Sequence, residues 1–276
     1  MRKIETKAAW LAAHSPLYAC PVCAAPLAVS GTSLLCENGH RYDLAKKGTV
    51  NFLAKPVATE YTSEMLAARR RVLQAGLFTP FLQAIAAQLR TSDSLLDIGC
   101  GEGTPTAMLS NSVAAAVGFD ISAPAIQLAG GLTTSAAFCV ADLAHLPFVA
   151  HRFDVITDLF SPGAYAEFDR VLKPGGRVLK IVPTGGYLRE LREGLYAGTA
   201  KASYSNADVK ARFLAHYPAA SVTPITYDWP VNATSFADVV TMTPLSWQAP
   251  AANRAALIAN PPAAIHVAVE LLATNV

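Results

Sequence analysis

Charge is scarce in this chain. Asp, Glu, Lys and Arg make up 15% of its 276 residues against 52% apolar ones, which excludes a disordered chain and leaves enough apolar side chain for a sizeable core. No uninterrupted apolar run approaches the ~18 residues that a membrane span requires. Met1–Trp10 carries Glu5 and Lys7 where a secretory signal needs its apolar stretch, so no export signal is read and a cytoplasmic location is expected. There is no internal repeat. No G-x-x-x-x-G-K-[ST] phosphate loop is present, so nucleotide hydrolysis lacks its main part. Cysteine is sparse and odd in number, with five in all, three of them within Cys20 to Cys36 and the other two, Cys100 and Cys139, in apolar stretches. That distribution argues against a disulfide framework and for metal binding.

The net charge of +2 is a sum over unlike parts. Residues 1–71 hold 10 Lys/Arg against 5 Asp/Glu, and residues 72–276 hold 12 against 15. A basic front segment suits a polyanionic partner, or a solvated basic face. Three blocks follow from the patterning: 1–53, with turn signals at Pro21, Pro26, Gly31 and Gly39 and β-prone pieces at Leu34-Leu35 and Thr49–Phe52; 54–92, a linker followed by two helices; and 93–276. The first helix is expected to start at Ser63 and stop at Gly76, and the second to be capped by Thr79 with Pro80 in its first turn. From Ser94 onward, nearly continuous apolar runs (94–98, 113–119, 136–140, 155–159, 177–182) alternate with helix-sized segments. Strands of that composition are covered on both faces, which predicts an α/β domain with a mostly parallel sheet. Residues 225–229 and 264–272 are candidate last strands.

Cys20-x2-Cys23, twelve intervening residues, then Cys36-x3-His40 is the spacing of two metal knuckles. Three thiolates and one imidazole saturate a tetrahedral zinc ion, which predicts a closed, structural site rather than a catalytic one. Tyr18, Leu35 and Tyr42 are expected to cover it.

Leu95–Ile98 runs through Asp97 into Gly99-Cys100-Gly101-Glu102-Gly103. Glycines at the carboxyl end of a strand let the backbone approach a ligand, but the third comes one residue too early for the dinucleotide fingerprint. Asp120 ends the next apolar run and Asp142 follows the one after. A carboxylate at the tip of the second strand can take both hydroxyls of a ribose, and a polar group at the tip of the third can bond an adenine amino group. The series resembles the S-adenosylmethionine-dependent methyltransferases of the Rossmann-like class, as does Arg170–Gly176 ahead of the fifth strand. The resemblance puts Asp158, Phe160 and Ser161, after the fourth strand, beside the methyl acceptor.

Joining both motifs to Arg41–Leu53, Ser63-Glu64-Met65, Ala68-Arg69-Arg70, Ala75-Gly76 and Met242–Trp247, the chain resembles the bacterial 23S ribosomal RNA (guanine-N1)-methyltransferases over nearly its whole length. The resemblance implies zinc held by Cys20, Cys23, Cys36 and His40. It implies S-adenosylmethionine contacts at Phe78, Asp97, Gly99, Gly101, Glu102, Gly103, Asp120, Asp142 and Tyr187. A 23S rRNA hairpin is the implied substrate, and a homodimer the implied assembly. Tyr187 stands where some members place a His, and Phe160-Ser161-Pro162 where others read Tyr-Ala-Pro. Two other readings remain: the same fold acting on another RNA or a small molecule, and an RNA-binding module with a vestigial cofactor site. If the basic front segment grips RNA phosphates, reversing Lys46 and Lys47 to Glu should weaken RNA binding and flatten its salt dependence. An unchanged slope in a binding titration would remove them from the interface.

Overall fold

The computed structural model describes residues 2–274. Along the chain, helix α1 (Lys3–Ala13) precedes three short strands, β1 (Ala28–Ser30), β2 (Ser33–Leu35) and β3 (Arg41–Asp43), and then β4 (Val50–Asn51). Residues 54–62 are irregular. Helices α2 (Ser63–Gln74) and α3 (Thr79–Ala86) follow, the first capped by the Thr62 hydroxyl, which accepts from the Met65 amide at 3.2 Å. Gly76, with φ at 101°, makes the turn between them. Strand and helix then alternate through β5 (Ser94–Ile98), α4 (Thr104–Leu109), β6 (Ala115–Asp120), α5 (Ala123–Ala129), β7 (Ala137–Val140), β8 (Phe153–Leu159), α6 (Tyr165–Val171) and β9 (Leu172–Pro183). The remaining elements are α7 (Arg189–Tyr196), α8 (Ala207–His216), β10 (Ser221–Pro230), α9 (Ala233–Met242), α10 (Ala251–Ala259) and β11 (Ala264–Ala273). No described helix is long and apolar enough to cross a membrane.

Two compact units result. Of the described residues, the first comprises those up to 61 and 84–179, and the second 62–83 and 180–274. In the first, the strands lie in the order β9-β8-β5-β6-β7-β4, and β8, β5, β6, β7 and β4 pair in parallel. The core of this sheet is apolar on both faces, with Leu95, Leu96, Val117, Val155 and Ile156 fully buried. That double burial is why these strands read as unbroken apolar runs. In the second unit β10 and β11 pair antiparallel from Ser221↔Ala273 to Pro230↔Ala264, with β11 beside the end of β9. The alternating burial of β10 shows one face solvated.

The front segment is part of the first unit's packing. β4 extends the parallel sheet by the pairs Val50↔Cys139 and Asn51↔Val140. Helix α1, absent from the sequence reading, is held by lysines that cap backbone carbonyls: Lys3 Nζ donates to Leu132 O at 2.6 Å, and Lys7 Nζ to Thr134 O at 2.8 Å and Ala136 O at 2.5 Å. Burial, aided by the charge of Lys3, lowers the Lys7 pKa to about 8. The Lys7 stem lies against Gly48, where φ is 79° and a β-carbon would collide with it.

At the opposite end of the strands, Asp93 is buried and accepts from Arg177 at 2.6 Å and from the Arg90 amide at 2.8 Å. Replacing Arg177 by Ala leaves that carboxylate buried without its counter-charge, which should cost about 3 kcal/mol. Urea unfolding of the two proteins checks this; a loss below about 1 kcal/mol would show that the pair contributes little.

Candidate functional site

Four metal-ligating side chains meet in the front segment. The Cys20 knuckle forms because the Ala24 and Cys20 amides bond to Cys20 O and Ala25 O, both at 2.8 Å, with Ala24 in the left-handed region. Its partner closes through Gly39, at φ 81°, whose amide bonds to Cys36 O at 3.0 Å. The ligand atoms of Cys20, Cys23, Cys36 and His40 consequently lie within 4.8 Å of one another. Cys23 Sγ is 3.7 Å from Cys36 Sγ, and His40 Nδ1 is 3.5 Å and 3.3 Å from the sulfurs of Cys23 and Cys36. Tetrahedral zinc with ordinary bond lengths demands S···S edges of about 3.8 Å and S···N edges of about 3.6 Å. The donor set therefore fits the ion in chemistry and in size.

Tyr18 is buried, Tyr42 places its hydroxyl 3.3 Å from Cys20 Sγ, and Leu35, beside Cys36, is half-buried. Tyr42 and Tyr18 both stack near Phe52, at 5.0 and 6.3 Å between centroids.

The second constellation lies along the carboxyl edge of the parallel strands. Because β8, β5, β6 and β7 lie side by side in that order and run in one direction, their ends present Phe160-Ser161, Gly99, Asp120 and the Ala141-Asp142 turn in a row, with neighbouring strands about 4.8 Å apart. Gly99, Gly101 and Gly103 all have positive φ, at 61°, 57° and 86°. Asp120 reaches back to this turn: its Oδ2 accepts from the Gly101 amide at 2.9 Å and its Oδ1 from the Ser122 amide at 2.8 Å. Asp120 and Asp142 are half-exposed, and Asp142 Oδ1 accepts from the Ala144 amide at 2.9 Å.

Asp97 and Glu102 sit beneath the turn. Asp97 is buried and accepts from Thr106 Oγ1 at 2.5 Å and Thr157 Oγ1 at 2.8 Å. Glu102 is fully buried and accepts from Thr104 Oγ1 at 2.8 Å. No periodicity marks Thr106 and Thr157, so sequence reasoning does not find them. Cys100 and Cys139 are buried thiols whose pKa values burial pushes up, with nearby Asp120 and Asp97 adding to the effect at Cys100, so neither is a reactive thiolate.

After β8, the Ser161 amide donates to Asp158 Oδ1 at 3.0 Å, and the turn holds Phe160 at φ 63°. A left-handed phenylalanine is strained, and such strain collects where a side chain must be aimed.

Phe78 and Tyr187 belong to the second unit. Phe78 is buried with the Arg69 guanidinium 5.4 Å from its ring centroid. Burial pushes the Tyr187 phenol above the ordinary range, against the opposing charge of Arg69. Arg71 is committed to Asp238 through bonds of 2.7 and 2.6 Å. Of the remaining front-segment cations, Lys46, Lys47 and Lys55 are exposed, Lys47 reaching Gln127 O at 3.1 Å, and Arg41 pairs with Asp43 at 2.7 Å.

A parallel sheet with a glycine turn on its first strand and carboxylates on the tips of the next two defines a Rossmann-like methyltransferase, and the model of the methyltransferase domain family matches residues 95–176. A second family model, described as RlmA, N-terminal, matches residues 18–59. The chain is 38% identical to YxjB of Bacillus subtilis (strain 168), a proposed 23S rRNA (guanine-N(1)-)-methyltransferase, over 85% of this chain and 88% of that protein. It is 31% identical to the 23S rRNA (guanine(748)-N(1))-methyltransferase of Streptomyces fradiae, over 83% and 85% of the two chains. This chain belongs to the 23S rRNA (guanine-N1)-methyltransferase family.

Two outcomes are expected of the site. Metal analysis should find about one zinc per chain, lost on changing Cys20 and Cys36 to Ser; iron or an empty site would contradict the closed zinc centre. Gly103→Ala places a β-carbon 2.8 Å from Ala129 Cβ and 2.9 Å from Phe138 at a φ of 86°, so it should abolish S-adenosylmethionine binding measured by calorimetry. Undiminished binding would show that the turn tolerates rearrangement.

Proposed function

We propose that this chain transfers a methyl group from S-adenosylmethionine to N1 of a guanine in a hairpin loop of 23S rRNA. The observation that carries the reading is the presence, in one compact unit, of a four-ligand metal cluster and a carboxylate-lined strand edge. The names of the relatives support the same substrate.

S-adenosylmethionine supplies a methyl group on a sulfonium, already a strong electrophile. The chain's part is to bind, to align and to exclude water. Asp120 is the ribose-binding carboxylate, held by the Gly101 amide with lone pairs left over for hydroxyls. Asp142 contacts the adenine, Gly99, Gly101 and Gly103 shape the methionine end, and Asp97 and Glu102 support them from below. Phe78 and Tyr187 are the further cofactor contacts that the family resemblance implies.

Guanine N1 lies on the Watson–Crick edge and is hidden in a stem, so the target must be unpaired or extruded. Phe160 is a wall on which such a base stacks. The functional parts follow the division at residues 53 and 92: residues 1–53 recognise the hairpin, with Lys46, Lys47 and Lys55 on phosphates, 54–92 link, and 93–276 transfer the methyl group. A ribosomal substrate places the reaction in the cytoplasm, and a homodimer is the assembly implied by family resemblance.

Methylation at N1 blocks base pairing. Primer extension on 23S rRNA should therefore stop strongly at one guanine in cells carrying the gene, read through in cells lacking it, and stay unstopped on complementation with Asp120→Ala. The same pattern with and without the gene would contradict the rRNA assignment.

A further inference from the structure

The basic side chains near helix α7 divide into two kinds. Arg189 pairs with Glu190 at 3.1 Å and Lys210 with Glu270 at 2.8 Å. Arg192 and Lys201 have no carboxylate partner among the described residues. Arg192 donates to the Lys201 carbonyl at 3.3 Å, while its Nε is buried and meets no acceptor. Lys201 donates only to the neutral Gln248 Oε1, at 2.8 Å.

Aromatic rings take the place of the missing carboxylates. Arg192 and Tyr196 stand four residues apart on one face of α7, and the turn after the helix folds back over that face. It sets the Lys201 ammonium 5.7 Å from the Tyr196 ring centroid and the Tyr204 ring 5.1 Å from the Arg192 guanidinium. Tyr196 is anchored, its hydroxyl donating to Leu245 O at 2.7 Å, whereas Tyr204 is 36% exposed and Lys201 lies in solvent.

Cations stacked on aromatic rings, with no acidic group to neutralise them, suit a ligand that is polyanionic and also has π faces. A phosphate supplies the negative charge that Arg192 and Lys201 lack, and a base supplies a partner for the outer face of Tyr204. Paired RNA offers phosphates but hides its base faces, so the combination selects unpaired nucleotides. An acidic peptide would satisfy the cations and leave the ring without a role.

We propose that Arg192, Lys201 and Tyr204 form a contact for single-stranded RNA, with the two cations on phosphates and Tyr204 stacked on a base. The inference rests on the rRNA-methyltransferase reading and assigns part of the substrate's grip to the second unit.

The test is equilibrium binding of the full-length, zinc-loaded protein to a synthetic 23S rRNA hairpin containing the guanine located by primer extension, titrated across salt concentrations. Lys201→Ala should flatten the log–log salt slope by about 0.7, the share of one single-strand phosphate. Tyr204→Ala should weaken binding about tenfold, and Tyr204→Phe should restore it. Arg192→Ala should do both, and because it also disturbs a half-buried packing site, the two exposed positions decide the matter. Lys201→Ala and Tyr204→Ala proteins that bind with wild-type affinity and slope, while the wild type methylates the hairpin, would overturn this contact and leave the enzymatic reading intact. A wild type that binds S-adenosylmethionine but leaves 23S rRNA unmethylated would overturn the reading itself.

Discussion

The hydrogen bond from the Gly101 amide to the Asp120 carboxylate joins the tips of two adjacent parallel strands, and the strand edge is organised around it. A turn with three left-handed glycines in five residues has little intrinsic preference for one shape. Asp120 holds it from the side, while Asp97, bound to Thr106 and Thr157, fixes it from below. Both depend on the parallel order: only when β5, β6 and β8 run the same way do their carboxyl ends bring Asp97, Asp120 and Thr157 to the same edge. The two backbone amides leave acceptor sites on the Asp120 carboxylate unused, which is what the ribose-binding role proposed for it requires.

The metal-bearing segment is tied to the same sheet by backbone. β4 adds the strand beyond β7, and Phe52 N bonds to Val140 O at 2.9 Å, two residues before Asp142. Lys3 and Lys7 cap carbonyls of the α5–β7 connection, and Lys47 bonds a carbonyl of α5 itself. A segment of this size cannot bury enough apolar surface to fold alone. Zinc closes one end of it, and the sheet edge with the lysine caps holds the other. The positive charge of the front segment therefore divides: Lys3 and Lys7 serve the packing, while Lys46, Lys47 and Lys55 stay exposed.

The sheet was legible because its strands are buried on both faces, which leaves unbroken apolar runs between turn signals; each expected strand from 94 to 182 has its counterpart in β5 to β9. The knuckle spacing was legible because it reflects local geometry around one ion. Helix α1 was not, since its anchor is a buried lysine, and lysine ordinarily signals surface. The commitment of Arg71 to Asp238 and the positive φ of Phe160 are tertiary facts with no local signature. Arg192 on α7 and Lys201 in the turn after it belong to the same class, because which cations lack a carboxylate partner among the described residues is visible only once the chain is folded.

The account stands on one chemical outcome. Purified protein incubated with methyl-labelled S-adenosylmethionine and a 23S rRNA hairpin transcript, followed by nucleoside mass spectrometry, should place the label in 1-methylguanosine and in no other nucleoside. Label in a different nucleoside, or none in RNA from a protein that binds the cofactor, would contradict it.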